Sequence, residues 1–505
     1  MKPLHQLLDK IPCSWNGKGE LTLQISGVQS DSRKVKPGDL FVAVSGFLAD
    51  GHDFIEEALR RGAIAVVLEH FDIALNRAAI PQFKVFSSRA VLPRLVASSF
   101  DFPAEKLRCI GITGTNGKTT TAFLIQYLLN CVSRAGLIST IYDDDGKMKQ
   151  PAENTTPSPE ILNGTLARML TNGLSYCVTE VSSHALDQNR TDGIPFSSAV
   201  FTNLTQDHLD YHHDFETYYQ AKRKLFFSSA PPKRSVINSD DSYGARLIKE
   251  LSKEHKVISY GIETPCNYRA QSIQINLKEL CFELTHKGER FQVVAPLLLK
   301  HNVYNVLAAL SVLSEEGFAL SDTIPHLFDF PGVPGRMERI DEGQDFSVFV
   351  DYAHTPDGLK NVLSSIQTLR KNHVISVFGC GGDRDRSKRP IMGEIANRLS
   401  DVVILTSDNP RTEKPEDILE EIKEGIGRSQ KKTKLFVITD REAAIHQAIE
   451  LAEAEDLVLI FGKGHETYQI LGKEKIPFSD QQIARHWLKA KCLSLAKSQK
   501  LVVEN

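Results

Sequence analysis

The sequence predicts an α/β protein of three domains: a small N-terminal α/β domain, a central sheet entered through a glycine-rich turn, and a C-terminal doubly wound parallel sheet. Three observations support this. A chain of 505 residues is too long for one ordinary core and is sized for about three domains. Short apolar runs alternate with helical stretches along most of its length, as in parallel sheets covered on both faces. The pattern also restarts twice, near residue 105 and near "PGVPGRMERI", so the expected boundaries are 1–104, 105–334 and 335–505.

In the first segment "LFVAV" and "AIAVVL" read as strands, and "FIEEALRRG" as a helix stopped by Gly62. "SFDFPAEKLR" reads as a polar linker carrying Pro103. The second segment opens with the buried strand "LRCIGI". It runs through a glycine-rich turn into a helix whose expected apolar stripe is Phe123, Leu124, Leu128 and Cys131. "YCVTEV" and "SSAVFTNL" continue the alternation. "YRAQSIQINLKELCFELTHKGERFQVVAP" then changes to period two, an antiparallel ribbon turning at Lys287-Gly288, and "HNVYNVLAALSVLSEEG" is a helix ending at Gly317. In the third segment "FSVFV", "VISVFG", "VVIL", "LFVI" and "LVLIF" are near-continuous apolar strands. Between the first two, Thr355 caps a helix with Pro356 in its first turn and a stripe of Leu359, Val362, Leu363 and Ile366.

Composition excludes several classes. Sixty basic against 63 acidic side chains leave a net charge of −3, so no global field recruits nucleic acid or anionic membrane. No apolar run approaches a membrane span, and Asp9 and Lys10 interrupt any signal-like segment at the start. Eight scattered cysteines with no C-x-x-C pair argue against a disulfide frame and for a reducing compartment, the cytoplasm.

The chemistry concentrates at strand ends. "GITGTNGKTTT" (Gly111 to Thr121) lies between strand and helix, where glycines turn backbone N–H groups toward phosphate and the helix N-terminus adds partial positive charge. Lys118 would reach the outer phosphates, and Thr119 or Thr120 would offer a hydroxyl to magnesium. The strict phosphate-loop pattern is broken by Ile112 at its first glycine position. A magnesium–phosphate complex needs carboxylate oxygens, and Glu180, ending "YCVTEV", is the expected one. His208, His212 and His213 are crowded among acids; no Cys joins them and they form no H-E-x-x-H, so only His208 is placed at the metal and the others are expected at the surface. "GCGGDRD", "SDNPR" and "GKGHE" each follow a strand, where doubly wound sheets bind ligands. Asp408 and Arg411 either pair with each other across an exposed turn or grip a molecule bearing both charges.

Together these residues resemble the Mur ligase family of ATP-dependent amide-forming enzymes of peptidoglycan synthesis. The resemblance covers nearly the whole chain, in order: "SDSRKVKPGDLFVAVSG", "GTNGKTTT", "ENTTPSP", "EVSSHALDQNR", "FTNLTQDHLDYH", "YYQAKRKLF", "HNVYN", "PGRMERI", "VDYAHTPDGL", "FGCGGDRDRSKRP", "SDNPRTEKP" and "GKGHETYQ". It implies an N-terminal nucleotide-sugar domain, a central ATPase domain and a Rossmann-like C-terminal domain that receives an amino acid. ATP would lie on Gly114, Thr115, Asn116, Gly117, Lys118, Thr119 and Thr120, with Asn302, Arg336, Asp351 and His354 at its base and ribose. Glu180 and His208, with Thr119, would hold Mg2+, joined by Lys222 carrying a carbamate formed from carbon dioxide. Lys118, Glu180, His208 and Lys222 would thus be the catalytic set. Ser32, Thr155, Thr156, Ser183, Gln188 and Arg190 would hold a UDP-muramoyl dipeptide. D-N-P-R matches the diaminopimelate-type motif of the family, so Arg384, Asp408, Asn409, Pro410, Arg411, Gly462 and Glu466 would bind meso-diaminopimelate, with Arg411 on its distal carboxylate and Asp408 and Glu466 on its distal ammonium. A monomer is expected. Phe47 and Leu48 in "GFLAD" depart from the polar residues expected near the uridine. A folylpolyglutamate synthase-like ligase and a P-loop switch that hydrolyses ATP to move a partner are the alternatives.

Overall fold

A computed structural model describes the chain apart from residues 47–48, 73–74, 76–79, 252–255, 428–432 and 504–505, with side chains described as far as residue 493. Phe47 and Leu48 therefore lie outside the described residues. Contacts divide the chain into two compact units. One comprises 1–271, 283–291 and 304–326, and the other 272–282, 292–303 and 327–505.

The first unit holds an N-terminal sheet, the short pair Lys2–Pro3/Gln24–Ile25, and most of a central sheet. The N-terminal one runs Ser14–Trp15, Gln82–Lys84, Ala65–Leu68, Leu40–Val42, Val28–Gln29, parallel except for its first strand. Alternate residues of its strands enter different cores: Leu40, Val42, Ala65 and Val67 pack on one face, Phe41, Val66 and Leu68 on the other. Two covered faces explain why the runs are apolar without alternation. The helix Ile55–Arg60 ends at Gly62, whose φ of 106° suits glycine.

The central sheet places Arg108–Thr113 between Tyr176–Glu180 and Phe196–Phe201, all parallel. Register pairs Glu180 with Ile112, so the carboxylate ends its strand beside the glycine-rich turn. The turn leads into the helix Lys118–Val132. Its buried face is Ala122, Phe123, Leu124, Ile125, Leu128 and Leu129; Cys131, expected on the stripe, is exposed. The stripe is wider than the sequence reading and is centred on the sheet beneath, which rotates Cys131 off it. The segment read as a linker is also ordered: Pro103–Lys106 forms a 3-10 turn, and Ala104 and Leu107 are buried in the central core. The proline restricts the chain locally, and neighbouring apolar side chains supply the burial that a free linker lacks.

The ribbon Tyr268–Ile275, Leu280–His286, Glu289–Ala295 turns at Lys287 and Gly288, both with positive φ (51° and 85°), the left-handed geometry of a two-residue hairpin. The helix His301–Glu316 follows and stops at Gly317.

In the second unit the main sheet runs Glu338–Ile340, Ser347–Asp351, Leu457–Phe461, Val374–Phe378, Val402–Leu405, Lys434–Val437, parallel beyond its first strand. Phe349, Leu457, Leu459 and Phe461 face one core, Val348, Val350, Val458 and Ile460 the other. Thr355 accepts a 3.2 Å hydrogen bond from Gly358 N and caps Pro356–Ile366, whose Leu359, Val362, Leu363 and Ile366 are all buried. The strand ends at Phe378, Leu405 and Phe461 are neighbours, so the three motif loops emerge side by side. All eight cysteines are free thiols.

Candidate active site

In the first unit the glycine-rich turn is shaped by contacts that admit no side chain. Gly114 has φ 148°, and a Cβ there would stand 1.8 Å from Thr202 Oγ1; at Gly117, φ 85°, it would stand 2.4 Å from Asn305 Oδ1. Lys118 Nζ donates to the carbonyls of Gly114 (2.9 Å) and Thr115 (2.8 Å). Lys222 Nζ donates to the same Gly114 carbonyl at 2.7 Å. Two lysines thus converge on one backbone oxygen. Lys222 is 1% exposed and lies 4.5 Å over the Tyr218 ring. Burial, with Lys118 nearby, pushes its pKa well below the ordinary lysine value. Asn116 N donates to Asn203 Oδ1 (2.9 Å), and Thr115 Oγ1 bonds Tyr218 OH (3.1 Å).

Thr119 Oγ1 donates to Glu180 Oε2 at 3.0 Å, and Thr140 donates to Glu180 through its N (2.9 Å to Oε1) and hydroxyl (3.2 Å to Oε2). A hydroxyl and a carboxylate side by side are hard oxygen donors of the kind magnesium takes. Lys222 Nζ, held on the Gly114 carbonyl, is not one of these oxygen donors. His208 adopts φ 52° and lies 3.5 Å from Asp207. Desolvation, with Lys118 and Lys222 near, lowers its pKa. Thr120 is buried in the first turn of the helix. His212 is not a surface residue: it is 2% exposed, bonded to Ser183 Oγ at 2.9 Å, and burial with His184 beside it lowers its pKa to about 4. His213 is exposed.

The residues expected on the dipeptide form a linked row. Thr155 accepts from Thr140 Oγ1 (3.1 Å), and Thr156 donates to Glu180 O (2.8 Å). Arg190 donates to Thr156 O (2.7 Å) and grips Gln188 Oε1 through Nε (3.1 Å) and Nη2 (2.7 Å). Ser183 follows Ser182, whose N donates to Thr156 Oγ1 (3.0 Å). Ser32 is apart from the row, in the 3-10 turn Ser32–Lys34, with its hydroxyl on Glu57 (2.9 Å). Ser30, which sequence reasoning did not select, bonds Glu160 of the helix Pro159–Thr171 through its backbone N (3.1 Å) and hydroxyl (2.5 Å).

In the second unit Arg336 stacks 4.7 Å over Tyr352, and Asp351 accepts from Met337 N (2.7 Å) and Ala353 N (2.9 Å). Burial raises the Asp351 pKa and lowers that of His354, whose Nδ1 bonds Tyr352 O at 2.9 Å. Asn302 holds Leu298 O (2.5 Å).

The amine-side loops are knit by side chains. Asn409 Nδ2 donates to Glu466 Oε2 (3.0 Å); Asn409 Oδ1 accepts from Lys463 Nζ and from Ile470 N, both 2.9 Å. Gln469 donates to Asp408 O (2.7 Å), and Arg411 Nη1 to Gly382 O (2.7 Å). At Gly462, φ 110°, a Cβ would stand 2.5 Å from Asp408 Oδ2. Arg411 holds φ 51° and bridges to Leu471 of the hairpin Tyr468–Leu471/Glu474–Pro477. Among the described residues Asp408 and Arg411 form no ion pair with each other, so the alternative of a stitched turn is not what the loop does. Arg384 is exposed, and Pro410 is buried in the same loop with its carbonyl 1.9 Å from a Cβ built on Gly382. His208, Asp383 and Arg411 all hold left-handed backbone, a strain that clusters at functional sites.

Two scaffolds use residues for which the sequence reading expected no role, Arg441 outside the motifs and Arg389 at the end of "FGCGGDRDRSKRP". Arg441 makes a fork onto Asp480 (2.8 and 2.6 Å), both fully buried, and donates to Phe461 O (2.9 Å) and Ser407 O (3.5 Å). Arg389, 0% exposed, joins Glu413 and Glu421 (2.9 and 2.8 Å). Lone basic residues on helices carry no local signal that would have found them.

A phosphate-loop sheet joined to a doubly wound sheet with charged strand-end loops defines a nucleotide-using ligase class, and the chain belongs to the Mur ligase family. Family models match it as the Mur ligase family catalytic domain over 24–99, the Mur ligase middle domain over 112–313, and the Mur ligase glutamate ligase domain over 335–464. It is 41% identical over 489 residues to the UDP-N-acetylmuramoyl-L-alanyl-D-glutamate–2,6-diaminopimelate ligase of Geobacillus thermodenitrificans, covering 95% of this chain and 98% of that one. The enzyme of the same description from Gloeobacter violaceus is 43% identical, covering 96% and 98%. A solved structure of a UDP-N-acetylmuramoyl-L-alanyl-D-glutamate–2,6-diaminopimelate ligase superposes with a TM-score of 0.70 at 34% identity, covering 94% of this chain and 96% of that one. A folylpolyglutamate synthase of Mycobacterium tuberculosis shares the fold alone, with TM-score 0.57 and 17% identity, over 73% of this chain and 91% of its own.

Proposed function

We propose that this chain is an ATP-dependent acid–amino-acid ligase that adds meso-diaminopimelate to UDP-N-acetylmuramoyl-L-alanyl-D-glutamate in peptidoglycan synthesis. The supporting observation is the strand-end cluster Asp408, Asn409, Arg411, Gly462 and Glu466, which offers both charge signs, together with relatives of that description along nearly the whole chain. The domains would be 1–104 for the UDP-sugar, 105–334 for ATP and 335–505 for the amino acid, in a cytoplasmic monomer. Among the described residues no helix is long and apolar enough to cross a membrane.

The dipeptide's carboxylate attacks the γ-phosphorus of ATP, forming an acyl phosphate and releasing ADP. The amine of diaminopimelate then adds to the acyl carbon, loses a proton, and expels phosphate. Lys118 leaves the Gly114 and Thr115 carbonyls to neutralise the transferring phosphoryl group, while the turn's backbone N–H groups orient it. Bound Mg2+ would supply charge neutralisation, held by Thr119, Glu180, His208 and carbamylated Lys222. Arg190, Gln188, Thr155, Thr156, Ser183 and Ser32 hold the dipeptide. Arg411 and Arg384 take the distal carboxylate of diaminopimelate, and Asp408 and Glu466 its distal ammonium. Lysine lacks that carboxylate and would leave a guanidinium desolvated and unpaired.

Phosphate release with ATP, the UDP-muramoyl dipeptide and single amino acids in turn tests the reading. Turnover is expected with meso-diaminopimelate and about 100-fold or more slower with lysine. Arg411→Ala should lose diaminopimelate turnover with ATP binding near normal. Equal use of both amines would defeat the specificity, and hydrolysis without any amino acid would favour a switch. The depressed pKa of Lys222 supports the carbamate, because neutral amine is the form that adds to carbon dioxide. Carbon-13 bicarbonate should give a carbamate resonance that Lys222→Arg lacks; the same signal in both proteins would reject the site.

A further inference from the structure

We propose that Lys463 is a positioning residue for amine recognition: its buried ammonium orients Asn409 and keeps Glu466 an anionic acceptor for the distal ammonium of the incoming amino acid. This rests on the function proposed above.

The geometry is restrictive. Lys463 is 0% exposed, yet three polar atoms surround its Nζ: Asn409 Oδ1 at 2.9 Å, Tyr468 O at 2.8 Å and Glu466 Oε2 at 3.5 Å. An ammonium has three donors and no acceptor, so whatever faces it must accept. Ile470 N meets the same Asn409 oxygen at 2.9 Å, and a backbone N–H can only donate. The Asn409 amide therefore has one permitted orientation, with Nδ2 toward Glu466 Oε2 at 3.0 Å. Asn409 itself cannot accept from a substrate ammonium, and that task falls to carboxylates.

Charge counting gives the second half. Lys463 and Arg441 are buried cations; Asp408, Glu466 and Asp480 are the carboxylates interacting with them. Arg441 forks onto Asp480, which leaves Lys463 as the buried cation interacting with the two remaining carboxylates, Asp408 and Glu466. The charged groups that act on Glu466 are Lys463, Asp408 and Arg441, and Tyr352 and Tyr468 are the titratable groups that its own charge reaches. Burial raises the Glu466 pKa, and Lys463 is the first opposing influence. Without Lys463 the carboxyl beside Asp408 takes up a proton more readily and loses the negative charge that attracts an ammonium.

The test is steady-state phosphate release by the full chain with ATP, magnesium and the UDP-muramoyl dipeptide, varying meso-diaminopimelate from pH 6.5 to pH 9, for the unaltered protein, Lys463→Met and Glu466→Gln. Lys463→Met should raise KM for diaminopimelate by about 10- to 100-fold near neutral pH, with KM for ATP and dipeptide unchanged. That rise should shrink as pH increases, because base restores the Glu466 anion. Glu466→Gln should raise KM without recovering at high pH. Lys463→Arg, which keeps the charge, should restore the KM and pH profile of the unaltered protein. If Lys463→Met does not fold, Lys463→Gln takes its place: its amide can donate to Asn409 but carries no charge. An impaired Glu466→Gln beside uncharged Lys463 variants with the unaltered protein's KM and profile overturns the role of Lys463 and leaves the proposed function standing. Unchanged KM in Glu466→Gln overturns the ammonium placement itself.

Discussion

The nucleotide loop and the amine-side loops are both strand-end turns, yet they are held differently. Around Gly114 the two lysines end on backbone, sharing one carbonyl, and glycines admit neighbours where a Cβ would collide. Around Asp408 the partners are side chains, with Asn409, Lys463, Glu466, Gln469 and Arg411 each occupied by another loop. A loop built from backbone N–H groups suits a ligand common to many enzymes, since every phosphate presents the same oxygens. A loop built from side chains can distinguish one amine from another, because each donor or acceptor left unpaired carries a penalty.

The contrast can be broken most severely at Lys118. Lys118→Met should reduce phosphate release by about 1000-fold or more, because the transferring phosphoryl group loses its cation, while diaminopimelate selectivity in the residual activity persists. Loss of selectivity alongside rate would mean that the two regions are not separable. Next come the glycines. Gly114→Ala should weaken ATP binding and lower stability by about 1–3 kcal/mol, since the φ of 148° and the Thr202 contact both oppose a Cβ. Gly462→Ala should instead raise KM for diaminopimelate by displacing Asp408, leaving ATP affinity intact. Calorimetric titration with nucleotide, set beside amine kinetics, separates the two; matching effects on both ligands would erase the distinction.

Acid should give the smallest effect. Arg389 holds the Glu413 carboxyl down to about 2 from an ordinary 4.5. A carboxylate with a folded pKa below its unfolded value stabilises the native state above the unfolded pKa, and that contribution fades as pH falls through the folded pKa. The window is therefore about pH 4.5 to 2. Hydrogen exchange across it should loosen residues 410–413 and 381–389 in the unaltered protein, and Glu413→Gln should already be loosened at pH 5. An unchanged Glu413→Gln profile would remove the ion pair from the account.

Much of the architecture is legible in the sequence. Strands such as Leu457–Phe461 announce themselves because a sheet covered on both faces needs apolar residues at every position. The helix capped by Thr355 was readable for the same local reason, since a cap, a proline and a 3.6-residue stripe act within a few residues of one another. Cys131 and the segment around Pro103 were misread because their exposure depends on which distant surface lies opposite.

By itself the sequence determined the succession of elements, the glycine-rich turn with its lysine, and the pair of charge signs at Asp408 and Arg411, all of them consequences of short-range sterics and periodicity. Only the tertiary structure decided that Arg411 spends a donor on Gly382 rather than on Asp408, that Lys222 meets Lys118 at one carbonyl, and that Lys463 and Arg441 are buried beneath the amine-side loops. Those choices join residues tens to more than a hundred positions apart, and what satisfies a buried charge is set by the atoms the fold brings around it, which no local pattern encodes.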